Sequence, residues 1–143
     1  MYKRILVALE NSRADKALLP HISELAGHFD SELLLIHVAD GWAARNFEKL
    51  DLAESEEIKE DRAYLEKRAT ELREAGRKVR IHLAMGDPAT EIVRIAKREH
   101  CDLIAMAAHG HRFLGDLFFG STINAVRHSA TAPVLLVRAN GRS

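Results

Sequence analysis

The 143-residue chain has a single cysteine, Cys101, which excludes an intramolecular disulfide framework and any cysteine-built metal cluster. It has only three prolines and no Gly/Pro/Ser-rich tract to act as a linker, so residues 1–143 read as a single domain. Neither sign of charge is in excess: Lys+Arg and Asp+Glu each total 21, and the formal net charge is zero. That removes the global basic field expected of a nucleic-acid binder or of a protein held on an anionic membrane. No apolar run approaches the length of a membrane span. The opening residues Met1-Tyr2-Lys3-Arg4-Ile5 lead straight into a strand-like run without signal-peptide character. With the cysteine usage, this gives the expectation of a cytoplasmic protein that binds neither nucleic acid nor membrane.

What is present is a soluble globular balance, 47% hydrophobic and 29% charged, arranged as short apolar runs alternating with longer amphipathic stretches. The runs lie at 5–9, 33–38, 79–83, 103–107 and 134–137. Four are nearly continuous, as parallel strands covered on both faces should be. The run at 79–83 alternates with Arg80 and His82, which predicts an edge strand. Between the runs, helices are expected at about 12–28, with Ala14, Ala17, Leu18, Ile22 and Leu25 on one side, and at about 52–75. The second carries Ile58, Leu65, Ala69 and Leu72 as its stripe. A third opens at Asp87-Pro88, an N-cap with proline in the first turn, and a fourth near Ser121 buries Ile123 and Val126 before Ala132-Pro133. The order βαβαβαβαβ predicts an α/β fold: an open, doubly wound, five-stranded parallel sheet.

In such sheets ligands sit beyond the carboxyl ends of the strands, where the strand order reverses. Strands one and four are expected to flank that point, which directs attention to Glu10-Asn11-Ser12 and to residues 107–122. The second segment contains Gly110, Gly115 and Gly120, suited to tight turns and close backbone approach to a ligand. Gly120-Ser121 stands at a helix start, where free N–H groups and the positive dipole end favour an anion. The Ser121 hydroxyl either caps the helix, binds a phosphate oxygen, or does both.

These residues resemble the universal stress proteins, and the resemblance extends over essentially the whole chain. Members that bind ATP carry the pattern G-x2-G-x9-G-(S/T) after the fourth strand. Here it reads Ala107-x2-Gly110-x9-Gly120-Ser121, with both spacings intact. The resemblance implies an adenine nucleotide alpha hydrolase-like (Rossmann-like) fold and an ATP or other adenine-nucleotide site. In that site Gly110, His109, His111 and Arg112 would surround the phosphates, and Gly120, Ser121 and Thr122 would hold them at the helix start. Met106 and Ala107 would lie against adenine or ribose. Leu9, Glu10 and Asn11 would meet the nucleoside from strand one, with Glu10 where ATP-binding relatives usually carry aspartate. Val38 either walls the adenine pocket or is an ordinary core valine, and Ser12 is preferred as the cap of the first helix. Mg2+ or Mn2+ would arrive with the phosphates. The resemblance further implies a homodimer through strand five, at Val134, Leu135, Leu136 and Val137.

Other chemistries find less in the sequence. A metal site from His109, His111 and Asp116 is not demanded by their spacing, and none is expected. Neither a G-x-x-x-x-G-K-(S/T) loop nor a G-x-S-x-G elbow occurs, and no catalytic residue is assigned. Cys101, among apolar neighbours, reads as a buried small hydrophobe. The loop bearing Trp42, Arg45, Asn46 and Phe47 reads as a lid packed on the second helix, with a partner surface as the alternative. The expected function is thus a nucleotide-occupied, dimeric stress-response switch. A non-nucleotide interaction module is the second reading and a slow ATP hydrolase the third.

Overall fold

The computed structural model describes residues 1–40, 51–109 and 120–139. In chain order the elements are β1 (Arg4–Ala8), α1 (Asp15–Phe29), β2 (Glu32–Asp40), α2 (Asp51–Glu74) and β3 (Lys78–Gly86). They continue with α3 (Pro88–Arg98), β4 (Leu103–His109), α4 (Gly120–Ser129) and β5 (Val134–Ala139). The five strands form one sheet in the order β3-β2-β1-β4-β5, and every pairing is parallel. The chain steps outward from β1 to β3, then crosses back to β4 beside β1, so the order reverses between β1 and β4 as the sequence predicts.

Helices cover both faces, which is why the central strands are apolar at nearly every position. On one face α1 packs against β4 and β5, and α2 against β2 and β3. Ile5, Val7, Leu18, Ile22, Leu33, Leu35 and Leu65 form the core there. On the other, α3 and α4 pack on the sheet and on each other over Leu6, Ile36, Ile92, Ile95, Ile104 and Val126. Asp87 caps α3 through its carboxylate, accepting from the Thr90 N–H at 3.0 Å and its hydroxyl at 2.7 Å, with Pro88 in the first turn.

Three expectations shift. Strands β2, β3 and β4 outrun their apolar stretches, because the ladder continues through Ala39–Met85 and Asp40–Gly86, and through Ala108–Arg138 and His109–Ala139. Helix α1 begins regularly at Asp15, three residues later than predicted, because its entry is a run of tight turns: Asp15, Lys16 and Ala17 N–H donate three residues back. In α4 only Val126 is buried, and Ile123 is half-buried against the same core. Strand β3 is indeed an edge, and so is β5.

Candidate functional site

The crevice begins where β1 ends. Leu9 extends the ladder by one bond, donating its N–H to the Ile36 carbonyl at 2.8 Å. The chain then turns sharply, with Asn11 in the left-handed region at φ 61°, which asparagine tolerates better than most residues. Asp15 holds this turn from below. Its carboxylate, 1% exposed, accepts from the Glu10 N–H at 3.0 Å and the Asn11 N–H at 2.9 Å. The Tyr64 hydroxyl, from α2, donates to the same carboxylate at 2.5 Å. Burial, the Asp15 hydrogen bond and the Asp15 charge all push the Tyr64 phenol up, so it remains a protonated donor. Ser12 is not the cap of α1 that the sequence suggested: the N-cap is Ala14, without a side-chain bond. The Ser12 hydroxyl accepts from the Ala14 N–H at 3.2 Å in the tight turns ahead of the helix.

Beside this turn lies a second buried pair. His37, near the end of β2, has Nδ1 at 2.9 Å from the Leu9 carbonyl, so Nδ1 carries the proton and donates. Its Nε2 faces Asp61 of α2 at 3.6 Å, and both residues are buried. Asp61 Oδ1 also accepts from the Asn11 carboxamide at 3.3 Å. With both ring nitrogens directed at protein groups, His37 is a structural strut and not a base facing the crevice. Glu10, one residue before Asn11, is buried at 6% exposure.

Across the crevice stand β4 and the start of α4. The side chains of Met106 and Ala107 are closed to solvent on opposite faces of the sheet. Leu9 is likewise buried on the α1/α2 face, and Val38 on the α3/α4 face, where it is a core valine. Helix α4 opens at Gly120, with Gly120 and Ser121 exposed and Thr122 half-buried. Its first turn carries no acidic side chain to neutralise the helix N-terminus. Among the described residues, nothing lies within 4 Å of the point where a Gly120 side chain would begin. His109 is the last residue of β4, paired with Ala139. Gly110, His111 and Arg112, the Trp42 loop, and Asp116 lie outside the described residues.

Sequence reading brought attention to Glu10 and Asn11 but missed Asp15, His37, Asp61 and Tyr64. A signal existed for two of them. Asp61 falls one turn before Leu65 on the apolar stripe of α2, and His37 interrupts an otherwise apolar strand. Polar groups at core positions are held by partners, and so mark places where the chain is being fixed.

A cavity of about 280 Å3 lies elsewhere, lined in part by Val93, Ala96, His100, Cys101, Ile104 and Ala132. It opens at the amino-terminal end of β4, away from the crevice. Burial pushes the Cys101 thiol up to about 11, so it is a neutral thiol and a poor nucleophile. Among the described residues no group of three or more His, Cys, Asp or Glu side chains is placed to hold a metal ion. No helix among them is long and apolar enough to cross a membrane.

The sequence model of the universal stress protein family matches residues 1–138. The chain is 31% identical to universal stress protein MJ0531 of Methanocaldococcus jannaschii, over 96% of this chain and 83% of that protein. Among solved structures, protein MJ0577 of the same organism superposes with a TM-score of 0.85 at 30% identity, covering 99% of each chain. A universal stress protein from Archaeoglobus fulgidus, solved in complex with dAMP, gives a TM-score of 0.72 at 23% identity, over 95% of this chain and 98% of that one.

Proposed function

The chain belongs to the universal stress protein family, and from that premise we propose that it is a dimeric switch that binds ATP or another adenine nucleotide. The observation that carries the reading is the polarity of the crevice between β1 and β4. At the β1 side the buried carboxylates of Glu10, Asp15 and Asp61 surround a turn ending in an exposed carboxamide, Asn11. At the β4 side a helix starts at Gly120-Ser121, both exposed, with no acidic side chain in its first turn. A nucleotide has the matching polarity, since its sugar hydroxyls donate hydrogen bonds and its phosphates are anionic. The dAMP complex of the Archaeoglobus relative supports the same ligand class. In this reading Ser121, Thr122 and Gly120 hold phosphate through backbone N–H groups, joined by Gly110, His109, His111 and Arg112. Leu9, Val38, Met106 and Ala107, their side chains buried, meet the nucleoside through their backbone. Mg2+ or Mn2+ accompanies the phosphates.

The dimer in this reading forms along β5. Its outer edge pairs with no strand among the described residues, Leu136 is 39% exposed, and Val134, Leu135 and Val137 are half-buried. A long apolar edge is an aggregation hazard unless covered, and a second copy covers it by symmetric pairing. The single, buried, free cysteine suits a reducing cytoplasm.

Thermal unfolding of the purified chain with millimolar ATP, AMP or cAMP tests the reading. A rise in Tm with at least one adenine nucleotide, lost in Gly120→Val, is the expected result. Among the described residues nothing crowds the Gly120 Cβ position, and in this reading a valine side chain there blocks the phosphate. No shift with any of the three contradicts nucleotide binding and favours a partner-binding module. Slow hydrolysis would require phosphate release above that of a Ser121→Ala control.

A further inference from the structure

Asn11 is an exposed side chain that buried Asp61 of α2 reaches directly, and the chemistry of that partner fixes which end it shows. A carboxamide has a donor end and an acceptor end, and either can face a neighbour. A carboxylate only accepts. Asp61 Oδ1, at 3.3 Å, therefore takes the Asn11 Nδ2 group and leaves Oδ1 of the amide turned away from it, on a side chain that is itself exposed. Asp61 is buried beside His37, whose Nε2 lies 3.6 Å from it and whose Nδ1 is tied to the Leu9 carbonyl at 2.9 Å. The backbone of Asn11 is clamped independently, by the Asp15 carboxylate that also holds Tyr64. Main chain and amide are thus set by two buried carboxylates, Asp15 on α1 and Asp61 on α2.

We infer that Asp61 is a positioning residue for sugar recognition: by orienting the Asn11 amide, it presents an acceptor to a ribose hydroxyl and makes the site favour nucleotides whose sugar can donate. The inference rests on the nucleotide reading above. An Asn11 amide free to turn over would offer NH2 as readily as oxygen, and a sugar hydroxyl would be accepted by water or by the amide alike. Glu10, buried and one residue earlier, belongs to the same turn, so the β1 end of the crevice is acceptor-rich while the α4 end supplies N–H donors.

Calorimetric titration of the full chain with ATP and with 2′,3′-dideoxy-ATP tests this. The unaltered chain is expected to prefer ATP by about 3- to 10-fold, the value of one hydrogen bond made in a partly dry site. Asn11→Gly removes the amide while suiting the left-handed backbone, and should abolish the preference. Asp61→Ala, which touches no ligand, should abolish it equally while leaving the affinity for the dideoxy nucleotide within about twofold, below the effect of one hydrogen bond. Asp61→Asn, which keeps an acceptor oxygen, should retain part of it. A merely structural role would weaken both nucleotides together, and that result, or an intact preference in Asp61→Ala, overturns the inference. If Asp61→Ala does not fold, the double variant His37→Leu, Asp61→Leu replaces both buried polar partners with apolar groups, and the same loss of preference is required of it. Failure of the unaltered chain to bind either nucleotide overturns the nucleotide reading itself, a result distinct from binding without preference.

Discussion

On the α3/α4 face of the sheet, Leu6, Ile36, Ile92, Ile95, Ile104 and Met106 meet with Cys101 as the one titratable side chain of the cluster. On the α1/α2 face, with Val7, Leu35 and Leu65 in its core, β2 contributes buried His37, α1 buried Asp15 and α2 buried Asp61. The first face is ordinary core, and its thiol is kept neutral by burial. The second accepts the desolvation of two carboxylates and an imidazole, which is unfavourable unless each is paired. Pairing is supplied by backbone N–H groups, Tyr64 and Asn11, all at the carboxyl end of β1. The contrast teaches where the molecule fixes a conformation for binding and where it is merely packed.

The most disruptive way to probe that contrast is through the apolar face. Ile95→Ala should destabilise the fold by about 2–5 kcal/mol in urea unfolding, since the site is closed and cannot collapse freely. Nucleotide affinity of the folded fraction should stay unchanged. Asp15→Ala, on the polar face, should cost less, about 1–3 kcal/mol, by leaving the Glu10 and Asn11 N–H groups without their acceptor. Yet it should weaken ATP binding measurably, because the turn it holds is part of the site. Equal effects of the two variants on affinity would erase the distinction between the faces.

Smaller effects sharpen it. Asp87→Ala removes a cap on the apolar side and should cost about 1 kcal/mol, again without change in affinity. Hydrogen bonds from the Thr90 hydroxyl and N–H hold the Asp87 carboxyl below its ordinary 3.8. A carboxyl depressed in the folded state stabilises above its unfolded pKa and loses that contribution as pH falls through the folded value. Thermal unfolding followed from neutral pH to below 3.8 should therefore show a smaller acid loss in Asp87→Ala than in the unaltered chain. Least in stability, but direct in chemistry, is alkylation of Cys101 at neutral pH. With its thiol pushed from 9.0 to about 11, native labelling should be about a hundredfold slower than in the unfolded chain.

Much of the fold was legible because parallel strands announce themselves as apolar runs, and because Arg80 and His82 mark β3 as half-covered. The reversal lies between β1 and β4, as expected, although βα alternation by itself also allows a sheet that reverses between β1 and β3. Strand ends were less so: Ala39 and Asp40 belong to β2 only because Met85 and Gly86 lie opposite them. Of the candidate site, the helix start at Gly120 was legible, because a glycine-serine helix start is a local feature. The nucleoside side was not. Asp15 looks like an ordinary first-turn acid, but its carboxylate reaches backward to the β1 turn, and its third partner is 49 residues away on α2. Such a contact exists only once the sheet has brought β1 and α2 together.

The central claim is that the crevice between β1 and β4 holds an adenine nucleotide. Native mass spectrometry of the freshly purified protein, followed by denaturation and identification of whatever is released, tests it most directly. The account predicts ATP or AMP at about one per chain on a dimer, retained without added ligand or taken up at micromolar concentration, as an affinity near −8 kcal/mol would allow. An empty protein that also ignores added nucleotide would contradict it.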